Sequence, residues 1–418
     1  MEKDPRGTPE TTVATSDANV IPLRGANRED GHIQNLSLML RLVHRNGAIS
    51  RADLTRISGL NRSTVSALVA ELGSAGLVIE QEPAAATSVG RPSLMVTPHP
   101  HIAALAFSPR RRAATMSAVG MGGTIIASVS HTFKGLPDPY EMAVIARDMQ
   151  SDLSKRLPAG LRLAGIGADL PGQVNIDSGY VTYCEQLDWV DAPFVEFLQR
   201  TTGLPAYIDN NANLACAAER DFGAGRGFED TVYLYGGEGG VIGGGVVIGG
   251  RLLRGSAGYA GELGHMRISD IRNEDTSGLR GTLEALVRRE DLISALRIQS
   301  ADDDELNKLL STSKNPRVLK VMQQQIEYLA VGISNLVNIF NPQAVLLAGF
   351  LSALYEADDY RLLSQIRAGS ITGARERVMI RTASLGGAGL AVGAAELAFA
   401  RLLRETTAFE LVDLEAVI

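Results

Sequence analysis

Residues 207–219 read YIDNNANLACAAE, in which a strand end (YID) feeds a loop (NNAN) that opens a helix (LACAAE). A strand delivered through a loop into a helix is the building unit of α/β proteins, and such loops commonly hold ligands. This loop offers Asn210, Asn211 and Asn213 but a single carboxylate, Asp209. Amides donate and accept hydrogen bonds to hydroxyls but cannot act as a base near neutral pH.

The same pattern spreads outward in both directions. Upstream, HIAALAFS, AATMSAV and GTIIASVS are short strand-like runs, followed by a helix over 140–157 and a further strand in LAGIGADLPG. Downstream, DTVYLYG, GVIGGGVVIGG and RLLRG precede long helices, with late strands at AVLLAG and VMIRTASL. Two rounds of strand cluster and helix predict an α/β module of two similar lobes around a cleft, over 102–404, with 405–418 as a tail. Besides the asparagine loop, four stretches point at that cleft. GGEGGVIGGG lets a backbone approach a phosphate or sugar, or simply makes a tight hairpin. GYAGELGHM places Glu262 and His265 three residues apart on a short helical segment. Glu284 opens a helix, where it also suits the helix dipole. The small residues of 386–400 fit close helix packing or, as the lesser alternative, a surface for a nucleotide base.

Residues 32–97 have a different character. Ile33, Leu36, Leu40 and Val43 recur at helical spacing and stop at Asn46-Gly47. Ser50 caps a second, short helix ending at Ser58-Gly59, and Asn61 caps a third with a Val65, Leu68, Val69, Leu72 stripe. Two short helices joined by a glycine-containing turn make a helix-turn-helix. Opposite the stripe, Arg62, Ser63, Thr64 and Ser66 can reach phosphates or base edges in a major groove. LVIEQEPAAATSVGRPSLMVTP, two short apolar runs around a polar loop, predicts a β-hairpin wing, with Arg91 between Gly90 and Pro92 able to enter a minor groove. The local charge is weak, since Asp53, Glu71, Glu80 and Glu82 offset the arginines. One copy should therefore bind poorly, and a homodimer on a roughly palindromic duplex is expected.

Composition sets the limits. With 418 residues, 45% hydrophobic, the chain can bury two or three cores. No apolar run approaches the roughly 20 residues of a membrane span. The polar residues 1–31 lack the apolar core of a secretory signal and read as a disordered leader of a cytoplasmic protein. Forty Lys and Arg against 47 Asp and Glu, a net charge of −7, exclude a protein coated in nucleic acid but allow one small DNA-reading head. Cys184 and Cys216 have no CxxC spacing and are expected to be buried thiols.

The order GIGADLPG, DNNAN, GGVIGGGVVIGGRLLRG, GELGH, GLRGTLE, NPQAVLLAG, GGAGLAVGAA resembles the ROK family (repressor, open reading frame, kinase) over nearly all of 32–404. The resemblance implies a winged helix-turn-helix joined to an actin- and hexokinase-like, ribonuclease H-like module that binds a sugar between its lobes. It places Asn210, Asn211, Glu262, His265 and Glu284 at sugar-contacting positions. Three departures matter. Asn211 stands where the kinases of the family carry a catalytic aspartate. FSPRRRAA replaces their Asp-x-Gly-x-Thr phosphate turn, and its arginines read as a solvated turn. Asp275, Ser277 and Thr282 stand where three zinc-binding cysteines would be, which leaves too few ligands for zinc and His265 less firmly oriented. The expectation is a DNA-binding regulator, most simply a repressor of carbohydrate metabolism, that senses a sugar or sugar derivative without modifying it, with no catalytic residue, metal or cofactor. The alternatives are a sugar kinase fused to a DNA-binding head and a ligand-independent DNA-binding dimer.

Overall fold

The apolar stripe of the first helix sets how the chain begins. In the computed structural model, which describes residues 28–82, 94–237, 240–406 and 408–418, Leu36, Met39, Leu40 and Val43 of α1 (Arg28–Asn46) are buried. The helix starts inside the stretch read as a leader, taking in residues 28–31, and residues 1–27 lie outside the described ones. Strand β1 (Ile49–Ser50) leads into α2 (Arg51–Ser58), whose cap Ser50 accepts from the Asp53 N–H. Gly59 closes α2 with a left-handed φ of 70° that few other residues adopt. Asn61 then caps α3 (Arg62–Ser74) by accepting from the Thr64 N–H. Strands β2 (Val78–Gln81) and β3 (Met95–Pro98) pair antiparallel, and β1 joins them in the order β1-β3-β2, a small sheet beside the three helices.

The first lobe is built from β4 (Ile102–Pro109), β5 (Ala113–Gly120), β6 (Thr124–Thr132), α4 (Pro139–Ser154) and β7 (Arg162–Leu170). A small antiparallel sheet follows, of β8 (Gln173–Asn175), β9 (Tyr180–Cys184) and β10 (Trp189–Ala192). Helix α5 (Phe194–Thr202), β11 (Ala206–Asn210) and α6 (Asn211–Phe222) complete it. The main sheet runs β11-β7-β4-β5-β6, with β4, β7 and β11 parallel and β5 and β6 returning antiparallel.

The second lobe repeats that plan. It contains β12 (Thr231–Gly236), β13 (Ile242–Ile248), β14 (Arg251–Leu252), α7 (Leu283–Leu286), α8 (Arg289–Leu296), α9 (Asp303–Thr312) and α10 (Pro316–Phe340). Then come β15 (Ala344–Gly349), α11 (Phe350–Ala357), α12 (Asp359–Gly369), α13 (Thr372–Arg375) and β16 (Met379–Thr382). Its sheet order, β14-β13-β12-β15-β16, is the same third-second-first-fourth-fifth sequence as in the first lobe, with the same mixture of directions.

The chain ends on the first lobe. Helix α14 (Ala388–Arg404) buries Val392, Ala395, Phe399 and Leu402 in one core with β4, β7 and the apolar side of α1. Gly393 permits this closeness, since a Cβ there would collide with the Leu214 carbonyl of α6. The last residues are no loose tail: β17 (Val412–Asp413) pairs with β7, Leu414 is buried, and Gln150 donates to the Val417 carbonyl at 2.8 Å. No described helix is long and apolar enough to cross a membrane.

Candidate functional site

Between the lobes lies a cleft of about 1000 Å³. It opens at the carboxyl ends of the parallel strands β4, β7 and β11, the usual place for a ligand in such sheets. Asn210, Asn211 and Asn213 line it together with Gly172, Glu262 and His265. The three amides are not equivalent. Asn210 caps α6, its Oδ1 accepting from the N–H groups of Ala212 (2.9 Å) and Asn213 (3.3 Å), while Nδ2 donates to Gly172 at 3.0 Å. It thus fixes the loop and has one amide hydrogen left for a ligand. Asn211 spends its Oδ1 on the Ala212 N–H at 2.9 Å and keeps its NH₂ for the cleft. Asn213 is buried, and its Oδ1 lacks a partner among the described residues. A buried orphan acceptor on a cleft wall is a candidate for a ligand hydroxyl. Its place in the amide run of 210–213 is the one sequence signal for it.

The second wall comes from a loop stapled by one aspartate. Leu263–His265 form a single 3₁₀ turn with Glu262 at its start. His265 Nδ1 lies 2.9 Å from Asp275 Oδ2, which also accepts from Thr282 Oγ1 at 2.8 Å. Asp275 Oδ1 accepts from the N–H groups of Ser277 (3.0 Å) and Leu279 (2.9 Å). With Nδ1 donating to Asp275, Nε2 of His265 is left toward the cleft and Glu262. His265 is therefore firmly oriented, contrary to the expectation from the sequence that without a metal its ring would be held less firmly: the Asp275 carboxylate holds it. Burial disfavours the imidazolium, but the Asp275 hydrogen bond and the charges of Glu284, Asp275 and Glu262 outweigh it and hold the His265 pKa above 6.5. Burial likewise raises Asp275, yet the hydrogen bonds from His265, Thr282 and Leu279 leave it below 3.8. Glu262 is pushed above 4.5 by burial.

Glu284 departs from its expected role. It is buried behind the wall, where Oε2 accepts from Ile242 N–H at 2.8 Å and Oε1 from Thr276 N–H and Oγ1 at 3.1 and 2.6 Å. Its oxygens join β13 to the stapled loop, whereas Glu262 and His265 line the cleft. One ligand atom each of His265, Asp275 and Glu284 lies within 4.8 Å of the others. This set does not fit the zinc of the family pattern, since it has no thiolate and its carboxylate oxygens are already engaged by protein donors.

The FSPRRRAA turn is only partly the solvated turn expected. Arg110 bonds Asp169, a fully buried carboxylate that also accepts from Ser108 Oγ. Burial raises the Asp169 pKa against the pull of Arg110 and Ser108. Arg111 and Arg112 are exposed at the tip and line the cleft. Asp209, also buried, faces Arg254 of the second lobe at 2.6 Å, an ion pair that ties the lobes together at the base of the asparagine loop. The glycines of 243–245 serve packing: a Cβ at Gly245 would lie 2.6 Å from the Cys216 Cβ of α6. Cys216 and Cys184 are buried and free, their thiols pushed up to about 12 and about 11 by burial.

In the head, Arg62 and Ser63 are exposed on the first turn of α3 and Thr64 is half-buried. Ser66 is partly spent, accepting from Arg51 at 3.3 Å. Arg91 lies outside the described residues. The head is bolted to the body through His44, which is buried on α1. Its Nδ1 accepts from the Gly122 N–H at 3.1 Å and its Nε2 lies 2.8 Å from Glu396 Oε1 of α14. Its ring packs edge-on against Phe222 and Phe399, both at 5.3 Å. Arg45 adds a pair with Asp221 at 3.2 Å. Helix α6 thus begins at Asn211 in the cleft and ends at Phe222 against the head.

Two sheets of one repeated order closing on a cleft lined by amides and carboxylates define a hexokinase-like α/β protein preceded by a small helical head. Residues 137–401, more than half of the chain, match the ROK family. The chain belongs to the ROK family. It is 28% identical to the xylose repressor of Caldicellulosiruptor bescii over 77% of this chain and 85% of that protein. It is 29% identical to a glucokinase of Halalkalibacterium halodurans over 56% of this chain and 79% of the kinase. The crystal structure of a ROK family transcriptional regulator, a homolog of the E. coli MLC protein, superposes with a TM-score of 0.72 at 22% identity, covering 90% of this chain and 99% of the other.

Proposed function

We propose that this chain is a sugar-responsive transcription regulator, acting as a repressor, whose cleft senses a saccharide without phosphorylating it. The observation that carries the reading is the course of α6. The helix starts on the ligand-facing amides and stops on Phe222, which packs against His44 of the DNA-reading head. A ligand that draws on Asn211 and Asn213, or shifts the Asp209–Arg254 pair between the lobes, bears on the same rigid rod that seats α1. Such coupling requires only that the saccharide bind one placement of the heads more tightly than the other. Arg62, Ser63 and Thr64 are the candidate groups for a major groove, with two heads of a homodimer spanning a two-fold site. The repressor relatives support the DNA-binding role, and as xylose repressors they make xylose the first saccharide to try.

Asn211 and the Ser108-Pro109-Arg110 turn weigh against the kinase reading that the glucokinase relatives raise. An amide cannot take the proton of an attacking hydroxyl, and losing a general base typically costs about 10²- to 10⁴-fold in rate. The test is ADP release from ATP, magnesium and a panel of hexoses and pentoses, run beside calorimetric titration of the same sugars. Binding without turnover is the expected result; turnover above the protein-free background would return the chain to the kinases. Binding of no saccharide would favour a ligand-independent dimer.

A further inference from the structure

We propose that the cleft takes an anionic saccharide, one bearing a phosphate ester or a carboxylate, whose charge is held by Arg111 and Arg112. The proposal rests on the reading of the cleft as a saccharide sensor and narrows the ligand class.

Three observations lead there. The first is that Arg111 and Arg112 line the same cleft as the amides, yet neither makes an ion pair or a side-chain hydrogen bond among the described residues. Their turn is nevertheless fixed: the Arg110 N–H donates to Ala113 at 2.8 Å, and the Arg110 guanidinium is anchored on Asp169 and on the Pro109 carbonyl at 2.8 Å. Arg110 is consumed in neutralising Asp169, whereas its two neighbours carry uncommitted forks suited to phosphate or carboxylate.

The second is placement. The turn leaves the end of β4, the amide loop leaves the end of β11, and β7 lies between them, with Asp169 directly beside Asp209 in the strand register. Two strand spacings separate the two groups laterally, roughly 10 Å. A sugar held at one end by the amides and at the other by a charged substituent spans such a gap, and the cleft of about 1000 Å³ has room beyond a single neutral ring.

The third is charge. The acidic groups of the cleft are largely committed. Asp302 caps α9, Asp303 pairs with Arg289 at 3.0 Å, and Glu262 lies 4.0 Å from His265. Glu185 remains as the one acid of the first lobe on the cleft wall without a side-chain partner among the described residues, against two arginines.

The experiment is calorimetric titration of the full chain with xylose, glucose, glucose 6-phosphate, glucuronate and inorganic phosphate at one fixed salt. Either anionic hexose should bind at least about ten-fold more tightly than glucose, and which of them does so separates phosphate from carboxylate. In the Arg111→Ala/Arg112→Ala double variant that advantage should vanish while any glucose binding stays, and Arg111→Lys/Arg112→Lys should restore most of it. Asn211→Ala should weaken neutral and anionic sugars alike. A neutral sugar binding as tightly as both anionic hexoses, or an advantage that survives the double alanine variant, overturns this proposal and leaves the sensor reading standing. If phosphate alone binds, or nothing does, the sensor reading falls with it.

Discussion

Asp275 fastens the loop that carries His265 with hydrogen bonds. One buried carboxylate gathers His265, Thr282 and two backbone N–H groups. Replacing it by alanine strands those donors, at about 1–3 kcal/mol for each left buried and unpaired. Asp275→Ala should therefore unfold at lower denaturant and bind saccharide at least about ten-fold more weakly by calorimetry. Chelator or added zinc should change neither property of the wild type. The His265–Asp275 contact also carries a pH signature. The raised His265 pKa gives stability that is full below its ordinary 6.5 and lost as pH climbs through the folded value. The depressed Asp275 pKa gives stability present above 3.8 and lost as pH falls through its folded value. The stability difference between wild type and His265→Asn, followed by thermal melting, should be largest between those limits and shrink in alkaline buffer. A difference unchanged up to high pH would mean that the imidazolium plays no part. At this scale the sequence was readable wherever chemistry is carried by residue type: Asn211, the missing cysteines, the unusual arginine turn. It was unreadable where burial and turn geometry decide, as in the inward turn of Glu284, the orphan Oδ1 of Asn213 and the stapling by Asp275.

At the scale of elements, α6 and α14 are the parts that join cleft to head, and glycines let them approach. Gly393 of α14 sits against the Leu214 carbonyl, so Gly393→Val must push two backbones apart. Overpacking of this kind costs about 1–3 kcal/mol. The variant should melt earlier and, at a temperature where it is folded, lose part of any saccharide effect on DNA binding. Retention of both would remove α6–α14 contact from the account. The small residues of 386–400 announced close helix packing, and periodicity gave α1 and α3, because both are local properties. That α14 crosses back to the first lobe and shares a core with α1 is a long-range fact with no local signature. The glycines of 243–245 illustrate the same limit: a phosphate turn and tight helix packing ask for the same residue.

For the whole molecule, the claim is that one body holds a DNA-reading head and a saccharide cleft in mechanical contact. Arg62, exposed at the start of α3, should matter to DNA and not to sugar: Arg62→Ala should cost about 1–3 kcal/mol in DNA affinity with saccharide affinity unchanged. Fluorescence polarisation at stated salt measures the first and calorimetry the second; an unchanged DNA affinity would remove α3 as the reading helix. The most direct test of the central claim is the DNA affinity of the full chain, on a duplex it selects from a random pool, with and without a saturating saccharide shown to bind. Coupled sites predict a change of about five-fold or more in the wild type, nearly abolished in Asn211→Ala; an affinity that does not move when the cleft is demonstrably filled would contradict the account.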